Sequence, residues 1–200
     1  TPSQMPSEAP DLISVDERAI LVELYLSSGG EQWTNSIGWS TPNKSDTFCS
    51  WFGVVCVSEV DRSVKDLHLD SNNLIGLMPT SIYTLSNLTY IDLSHNNGLS
   101  VSFQGIGNAR SLEALDLSST IISSIEGITD AASRLKELHI SDIGGFDGKP
   151  FPVDIYKLTN LRQLTMDYNN AAGTLPEDLG QLSNLEVLSL ANNELSGSLP

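Results

Sequence analysis

The chain has 200 residues, 40% of them hydrophobic and 18% charged, so a disordered polyelectrolyte is excluded. Ten Lys and Arg stand against 25 Asp and Glu, a formal net charge of −15, and such a surface repels nucleic-acid phosphates and anionic lipid. No apolar run approaches the roughly 20 residues that span a bilayer, so this segment is expected to contact neither nucleic acid nor membrane.

Residues 1–13 hold Pro2, Pro6 and Pro10 among Ser and Thr without periodicity and read as a linker or stalk. No signal peptide opens the chain, which is then cytosolic, already processed or excerpted from a longer protein. Ser14-Val15-Asp16-Glu17 has the form of a capping box, followed by an amphipathic helix through Leu26 with Ile20, Leu21, Leu24 and Tyr25 on its apolar side. Gly29-Gly30 ends it. Trp33, Trp39 and Trp51 are the three Trp of the chain; they read as core packing, with a carbohydrate platform as the alternative. Cys49 and Cys56 fall in one eight-residue stretch. They form a disulfide, remain buried thiols or supply half a metal site; C-x6-C is not a metal-ligand spacing, and a disulfide implies an oxidising compartment. Asn43-Lys44-Ser45 and Asn87-Leu88-Thr89 are N-glycosylation sequons, which point the same way.

From residue 64 onward a frame of the form Leu-x-x-Leu-x-Leu recurs. It reads Val64-Leu67-Leu69, Leu88-Ile91-Leu93, Leu112-Leu115-Leu117, Leu135-Leu138-Ile140, Leu161-Leu164-Met166 and Leu185-Leu188-Leu190. The starts at 64, 88, 112, 135, 161 and 185 are separated by 24, 24, 23, 26 and 24 residues. The apolar and polar positions alternate as in a short strand with one buried face. A lone strand of this kind cannot bury that face, but stacked copies build a parallel sheet over a continuous core. Each copy buries about five large side chains at roughly 1.5–3 kcal/mol apiece, before entropy. Asn72-Asn73-Leu74-Ile75-Gly76-Leu77-Met78-Pro79 recurs at 169–176, and again at 192–200 with one residue more.

These motifs resemble the plant-type leucine-rich repeat family with its N-terminal cap, as in receptor-like protein ectodomains and polygalacturonase-inhibitor-like proteins. The resemblance implies an α/β leucine-rich-repeat solenoid: a curved right-handed superhelix with a parallel concave β-sheet and a helical, disulfide-bonded N-terminal cap. It also implies a linker over 1–13, a cap over 14–63 and six repeats over 64–200, the last incomplete. In that family an inward Asn, here Asn72, Asn96, Asn169 and Asn193, bonds backbone groups of adjacent turns. Thr120 and Ile143 replace that Asn, and the Gly-x-hydrophobic-Pro element is missing from 99–106 and 122–128. Two extra residues fall around 144–150. Ile143 has no amide, so curvature or twist is expected to change there, and the loop is either a tolerated variation or a partner contact. The stop inside a repeat suggests a longer protein, with further repeats, a membrane span or a signalling domain outside this segment.

On a ladder with neighbours about 4.8 Å apart, the position between the second and third apolar residues reads His68, Asp92, Asp116, His139, Thr165 and Ser189. Nearer the strand start stand Asp66, Tyr90, Ala114, Glu137, Gln163 and Val187. Candidate ligand-binding residues on the concave face are His68, Asp70, Tyr90, Asp92, His95, Glu113, Asp116, Glu137, His139, Asp167 and Tyr168. They suit a protein, peptide or glycan, and their acidity favours a basic one. His68, Asp92, Asp116 and His139 offer nitrogen and oxygen donors to a divalent ion, but parallel side chains in a flat ladder do not converge, so no metal is assigned. No hydrolase, metalloprotease, P-loop or dinucleotide fingerprint occurs, and neither catalysis nor a cofactor is expected. The reading is a non-catalytic recognition module, secreted or on the extracellular side of the cell surface, as in a receptor-like ectodomain. The alternatives are a secreted inhibitor of wall-degrading hydrolases and a structural or adhesive matrix protein.

Overall fold

The computed structural model describes residues 16–40 and 47–198; the expected linker, Ser14, the Asn43 sequon and the closing Leu199-Pro200 lie outside them. Helix α1 (Glu17–Ser27) buries Ile20, Leu21, Leu24 and Tyr25, the spacing that its apolar residues dictate. Its cap corrects the expected capping box. Asp16 is the N-cap residue and accepts from the Ala19 amide at 3.1 Å. The Glu17 carboxylate turns away to accept from the Val64 amide at 2.7 Å, at the head of the first repeat strand. Half-burial raises the Glu17 pKa above its ordinary value.

Below α1 the aromatic residues interlock. Ring centroids lie 5.3 Å apart for Tyr25–Trp33, 4.9 Å for Trp33–Trp39 and 5.1 Å for Trp39–Trp51. The indole N–H groups of Trp33 and Trp39 donate to the carbonyls of Ser28 and Phe52 at 3.0 and 2.9 Å. All three Trp are buried, so they are core and no carbohydrate platform. Cys49 and Cys56 are joined in a disulfide with Cα atoms 5.5 Å apart. Cys56 ends a strand the sequence did not announce, β1 (Val54–Cys56), which pairs antiparallel with β2 (Val64–His68).

The repeats then add one parallel strand each: β4 (Tyr90–Asp92), β6 (Ala114–Asp116), β7 (Glu137–His139), β8 (Gln163–Thr165) and β10 (Val187–Ser189), in the order β1-β2-β4-β6-β7-β8-β10. Leu67, Ile91, Leu115, Leu138 and Leu164 point inward at 0% exposure, whereas Leu188 in β10 is 36% exposed, since among the described residues no strand follows it in the sheet. The return path of five repeats carries a short 3₁₀ turn, at Thr80–Thr84, Ile106–Asn108, Ile128–Ala131, Val153–Lys157 and Glu177–Gln181. These turns bury Ile82, Tyr83, Ile106, Ile128, Ile155, Tyr156 and Leu179 against the sheet's inner face.

Between strand and turn runs the asparagine column. Asn96 Oδ1 accepts from the amides of Asn72 and Leu74, and its Nδ2 donates to the carbonyls of Leu69, Leu93 and Ser94. Asn193 does the same for the amides of Asn169 and Ala171 and the carbonyls of Met166 and Leu190. Thr120 only donates to Leu117 in its own turn, at 2.6 Å.

A second strand follows the asparagine in the conforming repeats: β3 (Ile75–Leu77) pairs with β5 (Gly98–Ser100), and β9 (Ala172–Thr174) with β11 (Glu194–Ser196). The isolated bridges Ser100↔Ile121 and Pro150↔Ala172 extend each pair inward. Between residues 121 and 150 these outer pairs do not join; that stretch holds 122–128, one of the two segments without the Gly-x-hydrophobic-Pro element, whereas β5 forms in the repeat that lacks it at 99–106. The loop there is tightly seated. Phe146 and Phe151 are buried, Phe151 stacks on Tyr156 at 5.4 Å, and a Cβ added to Gly145 would collide with the Ile122 carbonyl.

Candidate recognition surface on the concave sheet

Parallel pairing in register fixes which side chains are neighbours on the open face. His68 pairs with Asp92, Asp92 with Asp116, Asp116 with His139, His139 with Thr165 and Thr165 with Ser189. The adjoining column is Asp66, Tyr90, Ala114, Glu137, Gln163 and Val187. A one-residue slip would exchange this face for the leucine core, so the core itself sets the register of the polar columns.

Tyr90 and Asp92 are tied to each other and to their neighbours. The Tyr90 hydroxyl donates to Asp92 Oδ2 at 3.2 Å, and its ring lies 5.2 Å from that of His68. Asp92 Oδ1 accepts from the amide and hydroxyl of Ser94. Burial first, then the charge and hydrogen bond of Asp92 and the charges of Asp116 and Glu137, push the Tyr90 phenol well above its ordinary pKa, so it remains a neutral donor. Asp116 accepts from the Ser118 amide at 3.0 Å, and His139 Nδ1 lies 3.0 Å from the Thr165 hydroxyl. Asp167 accepts from the Ser189 hydroxyl and the Ala191 amide.

The structure separates the candidates that the sequence grouped. His68, Tyr90, Asp92, Asp116, Glu137 and His139 stand on the strands themselves. Asp70, His95, Asp167 and Tyr168 follow the strands at the C-terminal edge of the sheet. Glu113 corrects its expected place on a strand: it precedes β6 at the opposite edge and pairs with Lys136 at 2.7 Å. That edge also carries Lys65–Asp66 and Arg162–Glu186 pairs at 3.4 and 3.6 Å. It is therefore of mixed charge, and such exposed pairs are worth about 0–1 kcal/mol each. None of these pairs reaches Asp92, Asp116, Glu137 or Asp167, so the negative field persists over the middle of the sheet. Asn87 of the second sequon is half-buried, and its amide donates to the Ser63 hydroxyl at 2.8 Å. Among the described residues no three of His, Cys, Asp and Glu gather as a metal site, and no helix is long and apolar enough to cross a membrane.

At the C-terminal edge lies a groove absent from the sequence-level picture. Its volume is about 450 Å³, and His95, Ser118, Ser119, Ser141, Asp142, Asp167 and Tyr168 line it. His95, Ser119, Asp142 and Tyr168 occupy one column, each in the left-handed backbone region with φ between 54 and 58°. The signal was present in the alignment of the repeats, but only the turn conformation shows that this column rims a cavity. Two other cavities, of about 320 Å³ at Gln104–Asp130 and 560 Å³ beside the disulfide, lie outside the polar columns.

Leucine rich repeat family models match residues 62–122 and 184–200. The receptor protein-tyrosine kinase CEPR1 of Arabidopsis thaliana is 30% identical over 136 residues, which cover 66% of this chain and 14% of that protein. Among solved structures, the PEPR1–AtPEP1 complex matches with a TM-score of 0.69 at 26% identity, covering 92% of this chain and 25% of that one. The plant peptide hormone receptor RGFR1 in complex with RGF2 matches with a TM-score of 0.60 at 29% identity, covering 76% and 27%. The chain thus spans about a quarter or less of each of these three. The six frames in register, the buried asparagine column and these likenesses have one source: the chain belongs to the plant-type leucine-rich repeat family.

Proposed function

We propose that this chain is an extracellular, non-catalytic recognition module, the ectodomain part of a receptor-like protein, and that its concave face captures a basic peptide or protein segment. The observation that carries the reading is the continuous His68–Asp92–Asp116–His139 column beside Tyr90 and Glu137, a negative surface with no ion pair across its middle among the described residues. Flat parallel side chains on rigid strands suit an extended partner better than a reaction centre, which needs groups converging on one atom. The matched complexes RGFR1–RGF2 and PEPR1–AtPEP1 support a peptide or protein partner, and the disulfide supports an oxidising compartment.

The test is binding of synthetic Lys/Arg-rich and Asp/Glu-rich peptides before and after Asp92→Lys with Asp116→Lys. The wild type is expected to prefer the basic peptides, with affinity falling as salt rises. The double variant should bind them at least tenfold more weakly while its circular dichroism and melting are retained. Equal binding by the double variant would move the site off this face.

A further inference from the structure

We infer that the groove at the C-terminal edge of the sheet is a subsite for a guanidinium group, an arginine side chain of the bound segment. This deepens the recognition reading above and rests on it. The groove is bounded by two rings three repeats apart, His95 and Tyr168, about 14 Å from each other at about 4.8 Å per strand. Between them the same column narrows to Ser119 and Asp142, so the cavity exists because the two central repeats carry short side chains where the outer two carry rings. Tyr168 is 62% exposed, which leaves a ring face open to a ligand.

The lining chemistry selects the ligand. Among the described residues Asp142 and Asp167 are the carboxylates at the groove, and no Lys or Arg lines it. Asp167 is held by the Ser189 hydroxyl and the Ala191 amide, which leaves Asp142 as the freer acceptor. Asp142 is exposed and takes one contact, the Ser119 hydroxyl at 3.2 Å. A carboxylate beside an open aromatic face matches a planar cation that hydrogen-bonds in its plane and stacks on its face, which guanidinium does and ammonium does not. The left-handed backbone of this column turns the chain away from the strand direction, so the subsite lies at one end of the negative columns and would receive one residue of a longer segment.

The experiment is an NMR titration of the folded chain with N-acetyl-arginine amide, N-acetyl-lysine amide and N-acetyl-glutamate amide. The aromatic signals of Tyr168 and His95 are followed. The arginine probe is expected to give saturable shifts at Tyr168, larger there than at His95 and several-fold tighter than the lysine probe, and the glutamate probe none. Asp142→Asn should weaken the arginine probe at least fivefold. Tyr168→Asn, which tolerates the left-handed backbone, should weaken it as well, with melting retained in both. Absence of saturable shifts, shifts confined to other residues, or full affinity in Asp142→Asn would overturn the subsite. Equal affinity for the lysine probe would overturn the guanidinium assignment. Arginine binding that persists while Asp92→Lys with Asp116→Lys leaves peptide capture intact would remove the extended-face reading and keep the pocket. Loss of peptide capture without any arginine shift would remove the pocket alone.

Discussion

Asn96 makes five hydrogen bonds from 1% exposure, so it joins two successive repeats through their backbones rather than through side chains. An apolar residue of similar size would leave those amides and carbonyls without partners, at about 1–3 kcal/mol for each group that water cannot reach. Asn96→Leu is therefore expected to lower stability by about 2–5 kcal/mol in urea denaturation, whereas Thr120→Val, which removes one local bond, should cost about 1 kcal/mol. Glu17 is a second case of a side chain serving a distant backbone group. Its raised pKa means that burial disfavours the charged form, so the protonated form stabilises the fold below the ordinary carboxylate range. That contribution is lost as pH rises through the raised value. Glu17→Gln keeps an acceptor for the Val64 amide and removes the charge. Its stability relative to wild type should rise between acid and neutral pH, while Glu17→Ala, which orphans the Val64 amide, should be destabilised by about 1–3 kcal/mol throughout. A flat difference between Gln and wild type across that range would remove the burial argument.

At the scale of elements, each strand is only three to five residues long and has no stability of its own. What a leucine contributes depends on whether the next strand covers it. Leu115→Ala in the middle of the sheet should cost about 2–5 kcal/mol by thermal or chemical denaturation, and Leu188→Ala in β10 less than about half of that, since Leu188 is already 36% exposed. The same dependence on neighbours explains what could be read in advance. The polar columns follow from the repeat spacing because buried leucines leave one allowed register. The outer pairs β3–β5 and β9–β11 were not foreseen, since Ile75-Gly76-Leu77 and Ala172-Gly173-Thr174 hold no alternating pattern. Their strand character comes from stacking on the adjacent repeat, with Gly76 and Gly173 at φ 103 and 91°. Likewise Gly145→Ala is expected to destabilise the 144–150 loop because the added methyl meets the Ile122 carbonyl.

For the whole molecule, the charge of −15 turns out to be arranged rather than spread. One edge of the sheet neutralises itself through Lys65, Lys136 and Arg162, the middle of the face stays negative around Tyr90, and the other edge opens a groove between His95 and Tyr168. The sequence alone determined the solenoid, the core, the register and hence the membership of each polar column, because period and burial are local properties repeated six times. For the cysteine pair and the tryptophans it left alternatives, which the structure closes with a disulfide and three buried rings. Tertiary structure decided which polar residues belong together. Glu113 and Glu137 are the same residue type, but one is tied to a lysine at the rim while the other stands on the open sheet two strands from Tyr90. The groove is likewise a property of four neighbouring repeats at once, since it needs two rings held apart by two short side chains. Such a cavity arises from distances across the stack, and no single repeat contains them.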